Sequence, residues 1–501
     1  MNKIPLQHDE ATGLSYEIII GIETHVQVLS ISKAFCPCEN RYGGLPNSRV
    51  CPICLGLPGA MPRVNRRLYE AAILAGAAFN GTVAESVSFV RKNYMYPDLT
   101  KGYQITQNPQ ICRGGHLDVM VNNQPKRIAL IGLHMEEDVG KSLHLDDEPN
   151  TVYIDYNRCG APLLEIVSQP CMHSGDEAVA YAMGLREIVR HLEISNGDME
   201  EGSLRCDANI NVRIHHEGQI YPTPIAEIKN MNSFKAIRRA IDFEVRRQID
   251  AWKANGITLK DKEGIKTTRN WDDKLGETVF MRSKGPLDDY RFFVDPDLPC
   301  TLVSKDWVKE LSARVGELPL QTRIRLKEQY GLSDFDCETI TQSRALVAYY
   351  EKAVAGAKNP KKIANWLLSE LMAVLKEKNV DIEHSPVTAE NLTALSNVVE
   401  EGQINGKQAK EVFEKMVKTG QSPHELIKDL GLSQVDDEQV IRALALEVIA
   451  ENPQAIEDYK NGKDNALKYL MGQLMKKSKG KAKPDAASKI LEKELGPCSG
   501  K

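Results

Sequence analysis

The chain of 501 residues is too long for one ordinary core, so several domains are expected. It is 42% hydrophobic and 27% charged, ordinary for a globular protein, and its net charge of −5 excludes a global field that would draw in nucleic acid. The longest apolar stretch, Ala71–Phe79, is interrupted by Gly76 and too short to cross a bilayer, and the start carries acids and a single Lys, unlike an export or transit signal.

In chain order, alternation predicts a first strand over Glu17–Val28, with Ile18, Ile20, Ile22, Val26 and Val28 on one face and Glu23, His25 and Gln27 on the other. A carboxylate and an imidazole two apart on a strand point the same way, as metal ligands must; a solvated outer face would look the same. Next comes Cys36-Pro-Cys38 and, after a loop, Cys51-Pro-Ile-Cys54. Two short thiolate pairs joined by a loop suit a closed tetrahedral, structural Zn²⁺ site, and the lack of an export signal places these thiols in a reducing cytosol.

A helix follows over Asn65–Asn80, then strands over Arg127–Val139, Val152–Tyr156 and Pro162–Val167. Glu137 falls on the parity of Ile131, Leu133 and Met135, and Glu165 sits inside an unbroken apolar run. Carboxylates among such neighbours are costly unless paired or bound to a cation, and oxygen ligands with one His suit Mg²⁺ or Mn²⁺. A helix over Gly175–Leu192 opens on Ser174 with Glu177 three residues on, the pattern of a capping box. The strand over Leu204–Ile214 carries Arg205, Asp207, Asn209, Asn211 and Arg213 on one parity, suited either to a phosphate- or ribose-binding wall or to a plain surface. A helix over Ser233–Trp252 buries the stripe Phe234, Ile237, Ile241, Val245 and Ile249 and leaves Arg238, Arg239, Arg246 and Arg247 off it.

After Asp295-Pro-Asp-Leu-Pro299, helical patterning takes over from Trp307 to about Asn379, and Ser385-Pro386 makes a second break. The expected fold is α+β: a mixed N-terminal domain with a mainly antiparallel sheet over 1–295, a helical middle over 296–386 and a small all-helical tail over 387–501. Lys476, Lys477, Lys479, Lys481 and Lys483 follow an amphipathic helix at Ala466–Met475, making a locally basic patch or an ordinary solvated end. Gly140-Lys-Ser142 resembles the end of a P-loop, but Met135 stands where the upstream glycine belongs. There is no nucleophile elbow, no HExxH and no Gly/Ser-rich amidase loop, so this chain is not expected to generate ammonia.

The motifs GIETHVQ, CPC…CPIC with LGLPGAMPRVN, RKNYMYPDLTKGYQITQ, GLHMEEDVGKSLH, DYNRCGAPLLEIVSQP, MEEGSLRCDANINVR, EIKNMNSFKAIRRAI, DDYRFFVDPDLP and the tail from Glu451 resemble the GatB family, in order and over nearly the whole chain. The resemblance implies a subunit working with GatA and GatC in a bacterial cytoplasm. It would convert misacylated Glu-tRNA(Gln), and often Asp-tRNA(Asn), to the amidated forms, phosphorylating the side-chain carboxylate with ATP and Mg²⁺ before ammonia from GatA attacks. It further implies Glu23, His25, Glu137 and Glu165 as magnesium ligands, Lys92 as a phosphate-contacting lysine and the lysine-rich tail as a grip on the tRNA body, while the polar parity of their own strand makes Arg205, Asp207 and Asn209 the residues expected beside the nucleotide. The motif chemistry is common to GatB and GatE, and the layout without a large inserted domain favours GatB. Two competing readings are a synthetase-like ligase, for which no adenylate signature is found, and a non-catalytic zinc-bearing tRNA-binding assembly factor.

Overall fold

The computed structural model describes residues 4–9, 13–144, 148, 150–262, 264–283, 290–432, 438–460, 464–478, 482 and 484–496. The chain forms two compact units, 1–322 and 323–501. The expected α+β class holds: a mixed sheet-and-helix unit precedes a helical one.

In the first unit, period-two patterning builds one large sheet. Its axis is the strand Leu14–Gln27, which pairs antiparallel with Leu204–His216 on one side and Pro162–Ser168 on the other. Beyond Pro162–Ser168 lie Gln124–Glu137, Cys112–Arg113 and Thr82–Val83; beyond Leu204–His216 lie Ala226–Lys229, Thr267–Asp272 and Glu277–Ser283. Along this path all pairings are antiparallel except Ala226–Lys229 with Thr267–Asp272, and that parallel pair is joined through the helix Phe234–Asn255, as a parallel connection requires. The predicted strands all form, with ends shifted by a few residues.

One face of the sheet is apolar. Ile20, Ile22, Val26, Leu164, Ile166, Leu133, Met135, Ala208 and Ile210 are buried there in one core with residues of the helices Arg66–Ala78, Gly175–His191 and Phe234–Asn255. Burying each Ile or Leu stabilises by about 1.5–3 kcal/mol relative to exposure. Ser174 caps its helix by accepting from the Glu177 N–H at 3.2 Å, but the Glu177 carboxylate reaches the N–H of His173 rather than that of Ser174, so the expected box closes one residue early. Along Phe234–Asn255 the apolar stripe is buried, and its four arginines are each ion-paired, to Asp176, Asp273, Asp9 and Glu244. Gly256 ends the helix in the left-handed region at φ 67°, where only glycine is free of strain.

The first unit runs past residue 295. Phe293–Val294 pairs with Phe89–Asn93 and Thr301–Leu302 with Ser86–Val87, while Leu298, Val303, Leu311 and Val315 join the first core. The Pro-rich segment breaks the local pattern without breaking the packing, because Arg91 holds Asp295 at 2.9 Å and Asp297 at 2.8 Å.

Among the described residues, the second unit has two cores, one from Leu326 to Ile427 and one from Ile441 to Leu495. The break at Ser385-Pro386 falls inside the first. Tyr349 donates to the Val387 carbonyl at 2.8 Å and Thr393 to that of Ala353 at 2.6 Å, so the turn is held against the helix Arg344–Val354 and leads into Ala389–Glu400, which packs on that same helix. The expected tail helix extends over Asp464–Lys477. Among the described residues no helix is long and apolar enough to cross a membrane.

Candidate active site and metal-binding clusters

The polar face of the sheet collects the titratable groups. Register places His25 opposite Glu165 on one side and Arg205 on the other, and Glu165 opposite His134. Residues opposed across strands share a face, so Glu23, His25, Glu165, His134, Glu136, Arg205, Asp207 and Asn209 stand together. The ligand atoms of His25, Glu136 and Glu165 lie within 4.8 Å of one another, with His25 Nε2 4.0 Å from Glu165 Oε1.

Glu137 does not join them. It follows Glu136 by one residue and therefore points to the other side of the strand, where it pairs with the buried Lys101 and accepts the Ile105 N–H at 3.0 Å. The expected ligand set is corrected at this position: the geometry puts Glu136, not Glu137, beside His25 and Glu165. Embedding among apolar neighbours marked a carboxylate needing a partner, but the partner of Glu137 is an ammonium.

Two hairpin strands, Phe89–Asn93 and Tyr103–Gln107, complete the site. Gln104 donates to Glu136 Oε2 at 3.2 Å and Thr106 donates to Oε1. Lys92 is opposed to Gln104 and thus shares the face that touches Glu136. His134 Nδ1 lies 2.9 Å from the Gln107 carbonyl, which can only accept, so Nδ1 carries the proton and Nε2 remains free to accept or ligate. Gln104, Thr106, His134 and Glu136 escaped the sequence reading; the period-two register of the HMEE segment against PLLEI was the signal that could have found the last two.

The electrostatics are those of a cation site. Glu165 is pushed up to about 9, first by burial and then by the charges of Glu136 and Glu23, with Lys92 opposing. His25 and His134 are both lowered by burial, which keeps their imidazoles neutral. Two carboxylates and an imidazole, crowded and half-desolvated, fit a hard divalent ion such as Mg²⁺ or Mn²⁺, whose charge would remove the cost of ionising Glu165.

The wall expected beside the nucleotide is already cross-linked. Arg205 holds Asp138 at 3.0 Å, Lys229 holds Asp207, and Asn209 donates to Glu23 Oε1 at 2.9 Å. Burial alone would raise Asp138, but Arg205 and Arg158 outweigh it and keep the carboxyl below its usual range. A cavity of about 200 Å³ lies against Glu23 and Asn209, floored by Gly21, where the strand approaches Pro170 closely.

The four cysteines converge: the sulfurs of Cys36, Cys38, Cys51 and Cys54 lie within 4.8 Å of one another. Cys54 is held down to about 5, chiefly by the Cys36 thiol, with further help from the Cys51 N–H at 3.1 Å and the Lys33 charge. The buried Lys33 ammonium lies 3.9 Å from the Cys54 sulfur and donates to the Arg49 carbonyl at 2.8 Å. The Cys54 sulfur in turn pushes Cys36 up, and burial pushes Cys38 up, so the four thiols do not all ionise unaided, and the set fits a soft four-coordinate ion.

The catalytic domain of the GatB/GatE family matches residues 18–309, and the GatB domain matches residues 348–495. The chain is 49% identical over 484 residues to an aspartyl/glutamyl-tRNA(Asn/Gln) amidotransferase subunit of Borreliella burgdorferi strain ZS7, covering 96% of this chain and 99% of that one. It is 47% identical over 489 residues to the like-named subunit of Treponema denticola, at the same coverage. The chain belongs to the GatB/GatE family. The family's catalytic domain thus coincides with the sheet that carries the carboxylate–histidine cluster, and its C-terminal GatB domain lies in the helical unit.

Of the tail lysines, Lys476 and Lys477 close the last turn of Asp464–Lys477, and Lys477 is paired with Glu447 at 2.8 Å and Glu451 at 2.6 Å. Lys479, Lys481 and Lys483 lie outside the described residues.

Proposed function

We propose that this chain is the tRNA-handling subunit of an ATP-dependent amidotransferase, converting misacylated Glu-tRNA(Gln) and Asp-tRNA(Asn) to Gln-tRNA(Gln) and Asn-tRNA(Asn). The observation that carries the reading is the His25–Glu136–Glu165 cluster on the sheet's polar face, with Lys92 on the hairpin strand that covers it. A carboxylate is a poor electrophile because its oxygen leaves badly; phosphorylation supplies a better leaving group. His25, Glu136 and Glu165, with Glu23 adjacent, would hold a divalent ion, which would supply charge neutralisation during that transfer. Lys92 adds a second positive charge, and Arg205, Asp207 and Asn209 stiffen the wall where the nucleotide lies. Gln104 and Thr106 fix the Glu136 carboxylate in one orientation, so little reorganisation is needed when the substrate arrives.

Ammonia production falls to a partner of GatA type, with GatC completing a heterotrimer in the cytoplasm, a reading supported by the family membership of the chain. The Cys₄ cluster would hold Zn²⁺ in a structural role, since four protein sulfurs leave no open position. The first unit, residues 1–322, carries the chemistry, and the helices of the last core, Ile441 to Leu495, grip the tRNA body.

The test is amidation itself. The chain, co-expressed with its amidase partner and supplied with ATP, Mg²⁺, glutamine and Glu-tRNA(Gln), should yield Gln-tRNA(Gln), read by hydrolysing the ester and separating the amino acids. A complex that binds the tRNA but leaves Glu unconverted would turn the reading to the assembly factor.

A further inference from the structure

Beside the carboxylate cluster the surface turns aromatic. Tyr96 and Tyr94 lie with ring centroids 6.0 Å apart, Tyr94 and Tyr290 at 6.2 Å, and Tyr290 and Phe292 at 5.8 Å, an unbroken row of four rings in edge-to-face contact. Cations are interleaved with it. The Lys92 ammonium is 4.9 Å from the Tyr290 centroid and 5.8 Å from that of Tyr94, and Arg282 lies 5.9 Å from the Tyr96 ring while donating to its hydroxyl at 2.7 Å. Both ends of the row are open to solvent: Tyr96 is 52% exposed, Phe292 48%, and the neighbouring Met95 86%.

A core cluster would hide its rings, and a solvated edge would not gather them, so the exposure points to a ligand. Rings alternating with cations recognise one chemistry above others: a flexible polyanion bearing flat π-faces, which is single-stranded nucleic acid. Lys92 lies against the two central rings, Tyr94 and Tyr290, and stands opposite Gln104, which holds Glu136, so the row passes the carboxylate cluster at its middle and reaches solvent at both ends. A substrate whose amino acid must reach the carboxylate cluster would thus carry its last nucleotides along the rings.

We propose that Tyr94, Tyr96, Tyr290 and Phe292 form a stacking platform for the unpaired 3′-terminal nucleotides of the aminoacyl-tRNA, placing the esterified amino acid at the His25–Glu136–Glu165 cluster. This rests on the reading of the chain as a tRNA amidotransferase subunit. Each edge-to-face contact takes one face of one ring of the pair, so bases stack on the solvent-open end rings, Tyr96 and Phe292; no base edge is read, and the platform tolerates any base that stacks. Tyr96 and Phe292 serve as positioning residues that hold bases; neither touches the reacting carboxylate.

The experiment uses the full complex and a misacylated tRNA whose terminal adenosine is replaced by 2-aminopurine riboside, which loses fluorescence on stacking. Binding to the unchanged protein should quench the probe. Tyr96→Ala and Phe292→Ala, at exposed positions where truncation does not unfold the chain, should each reduce quenching and raise KM for tRNA by about 5- to 100-fold, with kcat changed less, as the loss of one base–aromatic stack implies. Tyr94→Phe and Tyr290→Phe keep the rings and should retain both signals. Unchanged quenching and unchanged KM for tRNA in both alanine variants would overturn the platform while leaving the amidotransferase reading intact. A rise in KM for ATP with KM for tRNA constant would give the rings to the nucleotide's adenine instead and overturn it equally. Absence of any ATP-dependent amidation by the unchanged complex would fail the underlying reading rather than the platform.

Discussion

Glu136 and Glu137 are chain neighbours in opposite surroundings, and this sets what each substitution should do. Glu136 faces another carboxylate and an imidazole; its removal relieves crowding and takes away a ligand. Glu136→Gln should lower tRNA-dependent ATP hydrolysis by roughly 10²-fold or more, the effect of losing one preorganised electrostatic contact, with an unchanged or raised denaturation midpoint. Glu137→Gln strands the buried Lys101 ammonium and should cost about 3–5 kcal/mol of stability, read in urea. If the two variants exchanged phenotypes, Glu137 would return to the metal. The pH response of Glu165 follows from its position. Folded, it keeps its proton up to about 9; unfolded, it releases it in the ordinary carboxyl range, so between these limits the folded state binds more protons. Stability of the chelator-treated protein should therefore be complete at the acid end and fall as pH rises through 9, Glu165→Gln should flatten that slope, and added Mg²⁺ should restore stability most at high pH. Melting temperatures measured from pH 5 to 9 would check this, and a slope unaffected by Glu165→Gln would contradict it.

The elements show what sequence makes legible. Alternation exposed Glu23 and His25 because a strand's period of two is written in consecutive residues, and the cysteine spacing was equally local. The same alternation separates Glu136, on the polar parity of His134, from Glu137; what was not legible is that Glu136 lies beside Glu165, because that depends on a register, Glu136 opposite Leu163, that only the formed sheet fixes. Gln104, Thr106 and Lys101 come from a hairpin whose seat over the sheet has no local signature. The tail behaves likewise: its basic run was readable, but the capture of Lys477 by Glu447 and Glu451 depends on helix packing. A phosphate at Lys477 must displace two carboxylates, so Lys476→Ala should weaken tRNA binding more than Lys477→Ala. Each phosphate contact truly lost should remove about 0.9 from the log–log salt slope. Equal slopes for both variants and the parent would return these lysines to plain surface. In the cysteine loop, Cys51→Ser should cut bound zinc well below the roughly one ion per chain of a closed site and lower the loop's resistance to proteolysis before it alters kcat. Full zinc occupancy after that substitution would contradict a four-sulfur site.

At the scale of the whole molecule, the division of labour is open to truncation, but the cut must respect the cores. Ending the chain at 386 would split the cluster that joins Leu346 and Tyr350 to Leu392 and Leu395, and would report unfolding instead of function. Ending it after 432 removes only the helices of the last core, Ile441 to Leu495, and should raise KM for misacylated tRNA strongly while the partner's glutaminase activity stays nearly unchanged. The central claim is that the sheet's His25–Glu136–Glu165 cluster holds the ion that serves phosphoryl transfer to the tRNA-borne carboxylate. It is tested most directly by supplying the complex with γ-labelled ATP and Glu-tRNA(Gln), without any ammonia donor, and following labelled phosphate release across a Mg²⁺ titration. The account predicts release that requires the misacylated tRNA, saturates with Mg²⁺ and is lost in Glu165→Gln with the protein still folded; release that persists in Glu165→Gln at the same Mg²⁺ dependence would contradict it.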